Sequence, residues 1–303
     1  MSDLRVKLGS LELKNPVMVA SGTFGYGEEY AQLVDLDKLG AIVTKSITLK
    51  PRLGNPQPRL FETPSGLLNS IGLQNVGLQT FLDEKLPYLQ KYDTKIIVSI
   101  AGETIDEYEK LARALKKEKY AALEVNISCP NVRAARKTLF AQDAELTRQV
   151  IRKVKRHIKK PVIVKLTPNI TDIGVIAKTC EKAGADIIAL VNTFNGMALD
   201  LKTKKPVFKN IVAGLCGPAI KPLALYKVFE ASRAVKIPLI GMGGIMNLQD
   251  SLEFMLCGAS AIAVGAGNFV DPQIPETIIR EMGTYLQQNH IAKISRLIGS
   301  LAC

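Results

Sequence analysis

The chain has 303 residues, a formal net charge of +12 and 47% hydrophobic residues, with no tryptophan. That length suits one large α/β domain and a well-filled core. No apolar run reaches membrane-spanning length, and the opening MSDLRVKLGS lacks the apolar core of a secretion signal. The five cysteines (Cys129, Cys180, Cys216, Cys257, Cys303) are widely spaced and never in a CxxC pair, which argues against a disulfide framework, a zinc site or an iron–sulfur site in this chain. These features fit the cytoplasm. Much of the positive charge lies in Arg148–Lys160, where Val150, Ile151, Val154 and Ile158 keep helical spacing, so the bases read as the solvated face of an amphipathic helix. No aromatics interleave with them, as stacking on nucleic acid would require.

In chain order, Leu4–Leu13 alternates apolar residues around Gly9-Ser10 and predicts a short β-hairpin. Eight apolar strands then recur with helical stretches between them: Pro16–Ser21, Ala41–Ser46, Ile96–Ala101, Ala122–Ser128, Pro161–Thr167, Ile187–Asn192, Pro238–Gly244 and Ala261–Gly265. This alternation suits a closed (β/α)₈ TIM barrel better than an open doubly wound sheet. No G-x-G-x-x-G turn follows a strand, because Gly22, Gly25 and Gly27 have the wrong spacing. Without a linker or a compositional break, one domain over residues 1–303 is expected.

Barrel sites assemble at the carboxyl ends of the strands. Here those ends carry Ser21, Lys45-Ser46, Ser99, Asn126 with Cys129, Lys165, Asn192-Thr193, Gly243-Gly244 and Gly265-Ala266. One lysine could snorkel from such a place. Two lysines, several amides and a thiol on one rim favour a ligand site. The last two strands end in GMGGI and VGAGNF, where glycine lets backbone amides approach a phosphate and a helix amino terminus adds a favourable dipole. Three connections exceed ordinary loop length: Thr48–Asn75, Pro130–Ala144 and Asn195–Pro222. They are expected to be long active-face loops forming lid and pocket.

Over nearly its whole length the sequence resembles the class 1 dihydroorotate dehydrogenases, most closely the class 1B catalytic subunits. The motifs that carry the resemblance are ASGTFGYGEEY (Ala20–Tyr30), TKSITLKPRLGNPQPR (Thr44–Arg59), LLNSIGLQN (Leu67–Asn75), NISCPN (Asn126–Asn131), VKLTPN (Val164–Asn169), GPAIKP (Gly217–Pro222) and GMGGI. The resemblance implies an FMN-containing barrel that oxidises dihydroorotate to orotate in pyrimidine synthesis. It makes Cys129 the general base that takes the C5 proton of the substrate while C6 delivers hydride to the flavin. A free thiol near pKa ~8.5 suits that task when its surroundings lower the value. By the same match Lys45, Asn69, Ser70, Ile71, Gly72, Leu73, Asn126, Asn131, Asn192 and Thr193 hold the substrate. Ser21, Lys45, Ser46, Ser99, Asn126, Lys165 and Val191 line the flavin, and Gly217, Gly243, Gly244, Gly265 and Ala266 take its phosphate. No metal is implied.

The chain departs from the family pattern in places. Ala134, Ala135 and Ala141 stand where glycine is usual after the cysteine, Ala266 replaces a common threonine, and Ser99 replaces a common asparagine. The resemblance further implies a homodimer joined in a heterotetramer by a partner subunit carrying FAD and a 2Fe-2S cluster, which reduces NAD. Two alternatives follow from the same residues: a stand-alone, fumarate-using class 1A-like enzyme, and an RNA-acting flavin barrel of the dihydrouridine synthase kind. The latter needs an RNA-binding region, for which only Asp271–Cys303 remains.

Overall fold

The computed structural model describes residues 3–128 and 139–302. In chain order its strands are β1 (Val6–Leu8), β2 (Leu11–Leu13), β3 (Val17–Val19), β4 (Ala41–Val43), β5 (Leu60–Thr63), β6 (Gly66–Asn69), β7 (Lys95–Ile100) and β8 (Ala122–Asn126). They continue with β9 (Val162–Lys165), β10 (Ile187–Leu190), β11 (Phe194–Gly196), β12 (Leu199–Asp200), β13 (Lys205–Pro206), β14 (Ala213–Cys216), β15 (Leu239–Met242) and β16 (Ala259–Val264).

Eight of these, in the order β3-β4-β7-β8-β9-β10-β15-β16, close into a parallel barrel through the pairing of β16 with β3. Each lies within or overlaps one of the eight apolar runs read from the sequence. The runs are nearly continuous rather than alternating because the strands are buried on both faces, by the barrel interior and by the helices outside. The helices start where polar side chains cap them. Thr104 accepts from the Glu107 amide, Asp143 from those of Glu145 and Leu146, Asp172 from that of Val175, and Asn247 from that of Asp250.

The expected hairpin is present. β1 and β2 pair with Val6 opposite Leu13, and Gly9 at φ 62° makes the turn that a side chain would strain. Val6, Leu8, Leu11 and Leu13 are buried while Lys7 and Glu12 pair outside. Because β2 runs into β3, this apolar face lies at the amino ends of the strands, away from the site.

The basic helix spans Ala144–Lys155, with Val150, Ile151 and Val154 inward and Arg152, Lys153 and Lys155 in its last turn. It stops before Lys160, so Ile158 is buried from the following turn and His157 stands past the helix end. There the His157 ring lies 3.1 Å from Glu109 on the neighbouring helix Ile105–Leu115. That carboxyl is held down to about 2 by hydrogen bonds from Lys153 and His157.

The connections after the second and sixth barrel strands do more than form loops. β5, β6, β14 and β11 make a four-stranded antiparallel sheet, in the order β11-β14-β6-β5. Its central pairing sets Asn69 opposite Gly214, 145 residues apart in sequence. β4 and β10, from which the two halves of this sheet depart, stand on opposite sides of the barrel, so the sheet spans its mouth. No short-range pattern encodes a pairing over that separation, which is why the sequence reads these segments as loops.

Candidate functional site

Beneath this sheet a cavity of about 820 Å³, its open mouth included, is enclosed by the carboxyl ends of the strands. Lys165 ends β9 and is 5% exposed. Its Nζ donates to Ser21 Oγ at 3.3 Å, just past the end of β3, and among the described residues no carboxylate pairs with it. A buried ammonium against a neutral hydroxyl favours an anionic or electron-rich ligand in the adjoining space, since an uncompensated charge is costly to bury.

Asn192 and Thr193 line one wall, and behind them runs a series of hydrogen-bonded polar side chains. Asn126, at the end of β8, donates through Nδ2 to Ser46 Oγ at 3.0 Å, and its Oδ1 accepts from the hydroxyl of Ser128 at 2.9 Å. Asn192 Nδ2 donates to Ser128 Oγ at 2.8 Å, and Asn192 Oδ1 accepts from the Thr193 amide at 2.9 Å. At the other end Ser46 and Ser99 meet at 2.8 Å, and Ser99 donates to Glu124 Oε1 at 2.7 Å. Strand alternation explains the placement: Glu124 and Asn126 are two residues apart on β8 and share a face.

Another wall is glycine. Gly217, Gly243 and Gly244 have φ of 92°, 127° and 78°, values that a side chain rarely tolerates. A Cβ on Gly243 would stand 2.8 Å from that of Ala224, and one on Gly244 would stand 2.8 Å from that of Lys221 and 2.9 Å from the Gly217 carbonyl. The loop before the helix Lys221–Ala234 and the loop after β15 thus approach to backbone contact. Gly265 and Ala266, after β16, complete this side of the cavity. Backbone amides left bare in this way make a cradle for a phosphate.

The roof comes from the four-stranded sheet and the strand-six exit: Leu60, Leu67, Asn69, Ile71, Thr193 and Cys216. Asn69 Nδ2 donates to the Gly214 carbonyl at 2.9 Å, and the Cys216 thiol donates to the Leu67 carbonyl at 3.3 Å. Burial pushes that thiol up to about 11.

Most residues expected at the site from sequence therefore meet here. Asn69, Ile71, Lys165, Val191, Asn192, Thr193, Gly217, Gly243, Gly244, Gly265 and Ala266 line the cavity. Ser21, Ser46, Ser99 and Asn126 are buried and tied to the site by the hydrogen bonds above. Others stand further off. The Ser70 hydroxyl accepts from Asn55 at 2.9 Å, Gly72 packs beside Asn55, and Leu73 packs on Ala101. Lys45 lines an adjoining hollow with Glu28, Glu29, Arg52 and Lys85, which shares Gly22, Thr23 and Phe269 with the main cavity. Cys129 and Asn131 lie outside the described residues. Glu124, Cys216 and the apolar lining residues Leu60, Leu67, Met242 and Phe269 were not anticipated. For Glu124 the signal was available, an acid inside the apolar run ALEVN with the same parity as Asn126.

Fold and site together define a TIM-barrel enzyme whose ligand cavity lies at the carboxyl face of the strands. The family model described as dihydroorotate dehydrogenase matches residues 3–286. A protein of a Thermoanaerobacter species, named dihydroorotate dehydrogenase B (NAD(+)), catalytic subunit, is 52% identical over 299 residues, covering 99% of both chains. Proteins with the same name from Pelobacter propionicus and a Geobacter species are 52% identical over 302 residues and 50% over 300, covering 99% of this chain and 99% and 98% of theirs. The chain belongs to the dihydroorotate dehydrogenase family.

Proposed function

We propose that the protein oxidises dihydroorotate to orotate in pyrimidine biosynthesis, as the catalytic subunit of a class 1B enzyme built on a single FMN-binding domain over residues 1–303. The observation that carries this reading is the meeting, in one cavity, of a buried ammonium, the carboxamides of Asn69 and Asn192 and a glycine cradle. The donor set fits FMN. The cradle at Gly217, Gly243, Gly244, Gly265 and Ala266 would hold its phosphate through backbone amides, and Lys165 with Ser21 would supply positive charge to its electron-rich ring. When bound, FMN supplies the hydride acceptor.

The chain's own residues supply the rest. Asn126 and Asn192, with Asn69 and Thr193 above, orient the flat substrate and exclude water from its reacting face. Asn131 and Cys129 complete the assignment by resemblance, with the Cys129 thiolate taking the proton from C5.

The names of the relatives contain "catalytic subunit" and "NAD(+)". They support a partner subunit for this chain, which we assign FAD, a 2Fe-2S cluster and the reduction of NAD, on a homodimer of this chain within a heterotetramer. Such an assembly belongs in the cytoplasm. Among the described residues no helix is long and apolar enough to cross a membrane. The relatives' names support an NAD-linked dihydroorotate dehydrogenase over an RNA-acting barrel.

Anaerobic mixing tests the proposal. Purified protein is expected to be yellow and to bleach with dihydroorotate, and Cys129→Ala should bind orotate yet bleach roughly a hundredfold more slowly or worse. Wild-type speed in that variant removes the base assignment. Reoxidation by fumarate without a partner would instead favour the class 1A-like alternative.

A further inference from the structure

The polar wall has a single sense of donation, and both of its ends enforce it. At one end the backbone amides of Thr193 and Ser128 donate to Asn192 Oδ1 at 2.9 Å and to Asn126 Oδ1 at 3.3 Å. Each carboxamide must therefore turn its oxygen towards a main-chain N–H and its NH₂ away. At the other end the Ser99 hydroxyl donates its one proton to Glu124. Ser99 then accepts from Ser46, and Ser46, its proton spent, accepts from the Asn126 NH₂. Ser128 likewise gives its proton to Asn126 and accepts from the Asn192 NH₂.

The result is one unbroken series of donors from Thr193 through Asn192, Ser128, Asn126, Ser46 and Ser99 to a carboxyl that is 1% exposed. Such chains polarise one another in a low-dielectric interior. A hydroxyl is indifferent to direction, and a carboxyl accepting at the terminus is what a series of hydroxyls needs to keep one sense.

We propose that Glu124, acting through Ser99 and Ser46, is a positioning residue that, together with the main-chain amides of Ser128 and Thr193, fixes the facing of the Asn126 and Asn192 carboxamides. It thereby presents Asn192 to the ligand as a hydrogen-bond donor. The inference rests on the reading that the cavity takes an orotate-like anion. The chain uses one hydrogen of the Asn126 NH₂, and Asn192, next in the series towards the ligand, lines the cavity. The Asn192 NH₂ also reaches the Ser128 carbonyl at 3.4 Å, a long contact that a carboxylate or ring carbonyl can replace. The selectivity that follows is for flat ligands rich in acceptors on this side.

The test is orotate binding by calorimetry to the FMN-loaded enzyme. Ser99→Ala, which leaves the carboxyl in place, should weaken binding by about fivefold, the worth of one disordered hydrogen bond. Glu124→Leu should weaken it at least as much, and Glu124→Gln, which still accepts, should restore it. In an Asn126→Ala background the effect of Ser99→Ala should vanish, because the two act in series. Unchanged binding in Ser99→Ala, or losses that simply add in the double variant, overturns the proposal. If Glu124→Leu does not fold, the serine variant carries the test. A second readout needs no ligand: exchange of the Asn126 and Asn192 side-chain amide protons should speed up about tenfold in Ser99→Ala, and an unchanged rate overturns the proposal. Failure of the wild-type enzyme to bind orotate would sink the functional reading, and the exchange measurement would still decide the chain.

Discussion

Gly244→Ala isolates the phosphate cradle from the rest of the site. At φ 78° an L-residue costs about 1–2 kcal/mol, and the new methyl would meet the Lys221 Cβ at 2.8 Å and the Gly217 carbonyl at 2.9 Å. Two of the nearest neighbours are main-chain atoms, so the strain cannot be shed by a rotamer. The Gly217 loop and the loop after β15 must part by a few tenths of an ångström. Amides aimed at a phosphate then lose alignment. Losing one or two charge-assisted hydrogen bonds at about 1.5–3 kcal/mol each weakens FMN about ten- to a hundredfold or more. Flavin-stripped protein titrated with FMN and with riboflavin, followed by fluorescence quenching, measures this directly. FMN should weaken while riboflavin, which lacks the phosphate, stays within about twofold. Equal losses for the two ligands, or none, would refute a cradle built for phosphate.

Three further outcomes are expected. The Asn75 side chain accepts from the amides of Thr48 and Gly77 and donates to Thr48 and the Leu73 carbonyl, all in a buried site, so Asn75→Leu should lose about 3–5 kcal/mol in urea unfolding. Burial raises the Cys216 thiol to about 11, so its alkylation should be slow at pH 7 and climb tenfold per pH unit to about pH 10, and bound ligand should block it. Glu109 has a folded pKa of about 2, below its unfolded value near ~4.3, so its contribution is full above about pH 5 and is lost as pH falls through 2. The stability gap between wild type and Glu109→Gln should therefore narrow across that range, as pH-dependent denaturation would show.

What could be read from the chain divides by distance along it. Runs such as KIIVSI and ASAIAV announce strands buried on both sides, and glycines at two successive strand ends announce a cradle, because both are local consequences of backbone geometry. The β5-β6-β14-β11 sheet was invisible, since Leu67–Asn69 finds its partner only when Gly214–Cys216 has come across the barrel. Cys216 was missed with it. Ser70 and Leu73 sit within a recognised motif, yet their side chains face Asn55 and Ala101, so the motif marks the segment and not each residue's orientation. Ser99 is a like case. Expected to line the flavin, its side chain instead reaches Ser46 and Glu124.

The antiparallel sheet also orders events in folding. Its strands leave from opposite staves of the barrel, so pairing them carries a loop-closure cost that closure of the staves between them lowers. The ceiling of the pocket is thus a late arrival. A barrel without this sheet has nothing to press a ring against the cradle glycines. Tight ligand capture becomes a certificate that the last long-range pairing has been made.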